Sequence, residues 1–184
     1  MRIPRILVIS SPSGGGKTTV AQILKNFGFS HITTATTRER RPYERDGIDY
    51  HFVDVETFKS WIREGKLLEW AEIYGNYYGV PRENLYRELE RGRNVVLTLD
   101  INGKRALEGI FGGDNRYKFV SVFLLPPSIE ELERRMRERG EDELTIKRRI
   151  DKVKEEIENA REYDFTVVNS DLNETVKFIL CKVL

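Results

Sequence analysis

Ser11-Pro12-Ser13-Gly14-Gly15-Gly16-Lys17-Thr18 is the stretch of this chain with the plainest chemistry. It follows the apolar run Ile6-Leu7-Val8-Ile9 and precedes a helical pattern at Val20, Ala21, Ile23, Leu24 and Phe27. A strand, a glycine-rich loop and a helix, in that order, are what a phosphate-binding P-loop requires. Gly14, Gly15 and Gly16 let successive backbone N–H groups converge on phosphate oxygens, and the helix start adds its positive dipole end. Lys17 supplies a mobile positive charge for the outer phosphates, and the Thr18 hydroxyl suits a hard cation such as Mg2+. The motif reads G-x-x-x-x-G-K-[ST] with one change, Ser11 in place of the first glycine, which a negative φ accommodates.

A second set of anion-binding types follows. Thr36-Thr37-Arg38-Glu39-Arg40-Arg41 runs on to Glu44, Gly47, Tyr50 and Phe52. Planar guanidinium forks at Arg38 and Arg41 can grip one phosphate, and Tyr50 and Tyr78 offer phenolic donors to the same anion. Taken alone, Arg38, Arg40, Arg41 and Arg45 read equally as a solvated basic loop with surface ion pairs. The interleaved tyrosines and the P-loop upstream favour the anion site. Residues 134–149 are dense in arginine, with Arg135 and Arg139 four apart on one helix face, which suggests a mobile cover. Arg134, Arg137 and Arg148 fall on other faces, beside glutamates. His31 and His51 flank the region and read as structural or solvated, because phosphoryl transfer needs little acid–base help.

Such groups need a frame to hold them. Apolar runs of the kind found in buried parallel strands recur at 6–10, 94–99, 119–125 and 165–168. Between them lie helix signals: Asp54 as a cap with a stop at Gly65, Pro81 opening a helix that ends near Gly92, and a Ser128-Ile129-Glu130-Glu131 capping box with a stop at Gly140. A long charged helix is expected over 144–163 and an amphipathic one over 171–184. The alternation predicts an α/β fold, a P-loop doubly wound parallel sheet flanked by helices. Residues 33–79 break the rhythm and read as a small inserted mixed β/α binding subdomain, with a turn at Gly75-Asn76.

The chain has 184 residues, enough for one domain with a real core, and is 39% hydrophobic and 33% charged. A net charge of +1 implies no general attraction to nucleic acid or membrane. Cys181 is the sole cysteine, which excludes an intrachain disulfide and argues against a cysteine zinc site; it is expected as a small core residue of the last helix. No apolar run approaches the ~20 residues of a membrane span. The opening residues 1–4 carry Arg2 and lead straight into a strand, so a soluble, cytoplasmic protein without a leader is expected.

The run T-T-R-x-x-R-x-x-E-x-x-G-x-x-Y-x-F, on Thr36 to Phe52, resembles the nucleotide-monophosphate-binding signature of the guanylate kinase family. Further matching pieces are Glu69-Trp70, Gly75-Asn76-Tyr77-Tyr78-Gly79, Leu99-Asp100-Ile101, Pro126-Pro127-Ser128, Arg139-Gly140 and Val167-Val168-Asn169, so the resemblance covers almost the whole chain. It implies one domain with a core at about 1–32, 80–133 and 160–184, a GMP-binding subdomain at about 33–79 and a helical lid at about 134–159. The implied activity is Mg2+-dependent transfer of the ATP γ-phosphoryl group to GMP. The implied ATP contacts are Ser11, Pro12, Ser13, Gly14, Gly15, Gly16, Lys17, Thr18 and Thr19, with Arg135 and Arg139 from the lid and Asn169 near the adenine. Those to GMP are Thr34, Arg38, Arg41, Tyr50, Glu69, Tyr78, Gly79 and Asp100. Lys17, Arg41, Arg135 and Arg149 would be catalytic, and Thr18 the metal contact.

Glu69 gives that resemblance a chemical sense. An ionised carboxylate only accepts, and guanine presents two adjacent donors, N1–H and N2–H2, whereas adenine would face it with an acceptor. Trp70 reads as core packing. Besides Ser11, three positions depart from the family pattern: Val80 stands for a hydroxyl near guanine O6, Thr98 for an acid near the metal, and Asn102 for a Gln. Two other functions remain compatible with the chain. One is a kinase of another small acceptor such as ribose 1,5-bisphosphate, and the other is a non-catalytic guanylate-kinase-like binding module. The expected partners are ATP and GMP as small molecules, without nucleic acid or membrane, acting on a monomer or homodimer.

Overall fold

The apolar run after Pro4 becomes the middle strand of a parallel sheet in a computed structural model that describes residues 3–184. Met1 and Arg2, on which the expectation of no leader partly falls, lie outside the described residues. In chain order the elements are β1 (Arg5–Ser10), α1 (Lys17–Leu24), β2 (Phe29–His31), β3 (Ala35–Thr36), β4 (His51–Phe52), α2 (Val55–Arg63), β5 (Leu67–Ile73) and β6 (Asn76–Pro81). They continue with α3 (Arg82–Glu90), β7 (Asn94–Thr98), α4 (Ile101–Phe111), β8 (Lys118–Leu125), α5 (Ile129–Glu138), α6 (Glu143–Glu158), β9 (Phe165–Val168) and α7 (Leu172–Val183). Short 3-10 turns follow α1 and α6.

The main sheet has the order β2-β7-β1-β8-β9, with every pair parallel. Successive side chains of β1 go to opposite faces, and both faces are covered. Leu7 and Ile9 pack with Val20 and Leu24 of α1 and Ile179 of α7. Ile6 and Val8 pack with Leu85 of α3 and Leu107 and Phe111 of α4. Burial on both sides is why the strand reads as an unbroken apolar run. The chain crosses from one side of β1 to the other between β7 and β8, and at such a switch point a crevice opens beyond the carboxyl ends of the strands. The P-loop, Asp100 and Asn169 all leave the sheet there.

A second sheet, β4-β3-β6-β5, pairs β3 with β4 in parallel and β6 antiparallel to both β3 and β5. It folds over a small apolar cluster of Ala35, Phe58 and Leu67. Its hairpin turn is Tyr74-Gly75, not Gly75-Asn76, because Ile73 pairs with Asn76 and leaves a two-residue loop. Both loop residues have positive φ, 51° and 76°, the type I′ geometry that matches the twist of flanking strands. Glycine takes the second place, and Tyr74 is the one non-glycine residue with positive φ among the described residues.

The two arginine-rich helices, α5 and α6, close over a separate apolar core of Leu132, Met136, Ile146 and Val153. The long helix expected over 144–163 ends at Glu158 and tightens into a 3-10 turn. Two placements differ from expectation. Cys181 is exposed, because the buried stripe of α7 runs through Val176, Ile179 and Val183 and position 181 lies off it. Trp70 is 46% exposed and leans on Tyr77, while the covered cluster of its sheet is formed by Ala35, Phe58 and Leu67 with Trp61 and Ile62 of α2 against them. No helix among the described residues is long and apolar enough to cross a membrane.

Candidate functional site

A cleft of about 750 Å3 opens at the carboxyl ends of the main sheet, walled by the P-loop, the second sheet and the α5–α6 pair. Every residue singled out as a nucleotide contact in the sequence borders it except Pro12. Pro12 is buried beneath the loop, where its carbonyl accepts the Gly15 N–H at 2.9 Å and the Ser11 hydroxyl at 3.0 Å.

The P-loop owes its shape to backbone conformation and to one buried amide. Gly16 caps the start of α1 with φ of 90°, and a Cβ there would come within 2.5 Å of the Asn169 amide nitrogen. Asn169 is 3% exposed. Its Nδ2 donates to the Gly15 carbonyl at 2.8 Å, and its Oδ1 accepts the Thr175 hydroxyl at 3.0 Å. The side chain borders the cleft while its amide is committed to the loop and to α7. Lys17 opens α1, and burial lowers its pKa; Glu156 and Asp100 oppose that shift, whereas Arg139 and Arg149 add to it.

At the other wall the second sheet presents Tyr78 and Glu69, and the segment joining β3 to β4 presents Arg38, Arg41 and Tyr50. Glu44, 6% exposed, fixes the two arginines. Its carboxylate accepts Arg38 Nη2 at 2.7 and 3.0 Å and the Arg41 backbone N–H at 2.8 Å. Arg38 also lies over the rings of Tyr50 and Phe52, at 5.6 and 5.7 Å. Burial pushes the Tyr50 phenol up to about 12, so it keeps its proton and remains a donor. Glu69 is pushed up to about 7 by burial and then by the negative charge of Asp100. Thr34 is buried and borders the same cleft, and the Asp100 carboxylate caps α4 through the Gly103 N–H at 2.9 Å. Val80, where a hydroxyl was the usual choice, is fully buried among Leu85, Val95 and their neighbours, and so belongs to the core.

From the helical side, Arg135 Nη1 reaches the Gly14 carbonyl at 3.4 Å while its Nε pairs with Glu131 at 2.7 Å. Arg149 Nη1 donates to the Ser13 hydroxyl at 2.7 Å. Arg134 pairs with Glu131 and Glu138, and Arg137 with Glu133 and Glu143, as expected beside glutamates, but Arg134 also borders the cleft. Neither histidine borders the cleft, and burial followed by Lys25 lowers His31 to about 4.

Four residues went unassigned in the sequence. Glu44 was part of a motif without a role, although its place three after Arg41 and six after Arg38 invites a shared carboxylate. Glu141 touches three arginines. Glu156 borders the cleft two helical turns beyond Arg149, and burial raises its pKa against the pull of Lys17. Tyr74, at the hairpin tip, borders the cleft and carries Lys152 Nζ 4.7 Å from its ring centre.

The protein-family model described as guanylate kinase matches residues 3–181. The chain belongs to the guanylate kinase family. It is 45% identical to the guanylate kinase of Zymomonas mobilis over 175 residues, 94% of this chain and 79% of that one. Against the guanylate kinase of Carboxydothermus hydrogenoformans identity is 41% over 174 residues, covering 93% and 83%. The crystal structure of guanylate kinase from Anaplasma phagocytophilum superposes with a TM-score of 0.80 at 34% identity, covering 99% of this chain and 85% of that one. The guanylate kinase fold therefore extends over both sheets and the α5–α6 pair, and the cleft is enclosed by all three.

Proposed function

We propose that the cleft transfers the γ-phosphoryl group of ATP to GMP, giving ADP and GDP. The observation that carries this reading is that the P-loop, the Arg38, Arg41, Tyr50 and Tyr78 cluster and Glu69 all border one cleft. The P-loop N–H groups and Lys17 hold the ATP phosphates. Arg38, Arg41, Tyr50 and Tyr78 hold the GMP phosphate. The ionised Glu69 accepts the two donors of guanine, with Thr34 and Asp100 beside it.

A GMP phosphate oxygen then attacks the γ-phosphorus in line, and the bond to the bridging oxygen breaks with its electron pair leaving on ADP. The substrate oxygen is already anionic, so no general base is needed. Positioning and charge neutralisation supply the catalysis, with Arg135 and Arg149 placed over the Ser13–Gly14 turn to stabilise the transferring group. Residues 134–159 would act as the lid that keeps water from competing as acceptor, and residues 33–79 as the GMP-binding unit, with the remainder as the core.

Mg2+ fits this site. Among the described residues no group of three or more His, Cys, Asp or Glu forms a cation cage. Mg2+ ordinarily keeps several waters and leans on substrate phosphates with one or two carboxylates; the Thr18 hydroxyl would be its direct protein ligand, with Asp100 bordering the same cleft as the nearby carboxylate. When bound, it would neutralise charge on the ATP phosphates. A reaction on free nucleotides also suits the cytoplasm.

The test is an ATP-coupled turnover assay across GMP, dGMP, AMP, CMP, UMP and ribose 1,5-bisphosphate, with and without Mg2+. Turnover strongly favouring GMP is expected. Preference for the sugar phosphate would remove Glu69 from substrate recognition, and no turnover with any acceptor would favour a binding module.

A further inference from the structure

Arg41, Arg139 and Arg149 come from three different elements and converge on one internal carboxylate. Glu141 Oε1 lies 3.2 Å from Arg41 Nη2 and 3.0 Å from Arg139 Nη2, and its Oε2 lies 3.0 Å from Arg149 Nη1. The Glu141 side chain is 6% exposed. Resting on the reading of these arginines as phosphate ligands, we propose that Glu141 is a built-in counter-ion. In the nucleotide-free protein its carboxylate takes the place of a phosphoryl group, ties the lid to the GMP-binding segment, and is displaced when ATP arrives.

Three observations support a temporary occupant over a permanent structural pair. First, the carboxylate is outnumbered. Three guanidiniums offer many more N–H donors than two oxygens can accept, and Arg139 Nε and Nη2 are buried without an aligned hydrogen bond among the described residues. Glu141 Oε2 is likewise within ion-pair distance of Arg149 but makes no aligned hydrogen bond. A tetrahedral anion brings more acceptors. Secondly, the neighbouring pair differs: Glu44 holds Arg38 and Arg41 with three good hydrogen bonds and would stay in place. Thirdly, the backbone under Glu141 is fixed. Gly140 N–H donates to Arg137 O at 2.9 Å and Glu141 N–H to Met136 O at 3.2 Å, a Schellman end to α5. Asp142 caps α6 through the Thr145 N–H at 3.0 Å. Release therefore requires rotation of one side chain, without remodelling of the lid turn.

An internal competitor lowers apparent anion affinity by the fraction of molecules in which it sits on the site. Removing its charge but keeping its shape, as in Glu141→Gln, should tighten ATP binding by roughly threefold to tenfold. Isothermal titration of ATP into wild-type protein, Glu141→Gln, Glu141→Asp and Arg149→Ala measures this, alongside amide hydrogen exchange over residues 134–159. The expected result is tighter binding in Glu141→Gln, near-wild-type binding in Glu141→Asp, and weaker binding in Arg149→Ala. Exchange in the lid should be faster in free Glu141→Gln than in the free wild type, and equal once ATP is bound. Unchanged or weaker ATP binding by Glu141→Gln, with Arg149→Ala still impaired, overturns the counter-ion role and leaves the arginine reading intact. If Arg149→Ala also binds ATP normally, the arginine reading itself falls, and the counter-ion role falls with it.

Discussion

The two proposed anion sites of this cleft are built in different ways. The P-loop is a backbone construction. Its N–H groups are aimed by glycine conformations, it is backed by the buried amide of Asn169, and it hangs from the central strand. The arginine site is a side-chain construction, drawn from the β3–β4 segment and the α5–α6 pair, and like charges there would push apart without Glu44 and Glu141 between them. Backbone dipoles carry no net charge and can wait in place for a ligand. Guanidiniums must be held by counter-charges until one comes.

Mutations should separate the two designs. Lys17→Ala removes the only full charge contributed by the P-loop, and kcat should fall by about 10^2–10^3-fold with the fold retained by circular dichroism. A loss below tenfold would show that the backbone groups suffice. Arg41→Ala should lower kcat/KM for GMP by about 10^2-fold, and Arg41→Lys should not restore it, because an ammonium cannot reproduce the planar fork. Recovery by lysine would make the second site a matter of charge alone.

Asn169→Ala leaves the Gly15 carbonyl and the Thr175 hydroxyl without their partner, at a cost of about 1–3 kcal/mol in denaturant unfolding. KM for ATP should rise while KM for GMP holds; a rise in both would tie the two sites together. The smallest effect is one of pH. Burial and Asp100 raise Glu69 to about 7, so it protonates as pH falls through 7 and loses an acceptor facing guanine. KM for GMP should climb by up to about tenfold per pH unit below 7, with KM for ATP nearly flat. Stability should move the other way. Between its ordinary range and pH 7 the free folded protein binds more protons at Glu69 than the unfolded chain, so stability falls as pH rises through that window. Glu69→Gln should flatten both profiles.

Legibility in the sequence followed the same division. The P-loop could be placed from Gly14 to Thr18 because strand, loop and helix announce themselves locally, and the four apolar runs all became strands of the main sheet. Strand β2 escaped notice because three residues are too few to show a period. The paired arginines and tyrosines were visible as types. The carboxylates that hold them were not, since a glutamate among arginines looks the same whether it is solvated or is 6% exposed, as Glu44 and Glu141 are. Trp70 and Cys181 misled for the opposite reason: apolar character suggests burial, but the stripe or face of the element decides it.

The Asn169–Gly15 hydrogen bond spans 154 positions of chain. On a ribosome adding about 5–20 residues per second, the glycine loop would emerge on the order of ten seconds before the amide that shapes it. The two strands that flank β1 come from the middle of the chain and also arrive late. Nucleotide capture should therefore be among the last properties a newly made molecule acquires, and a translation product stalled before Asn169 should be unable to retain ATP.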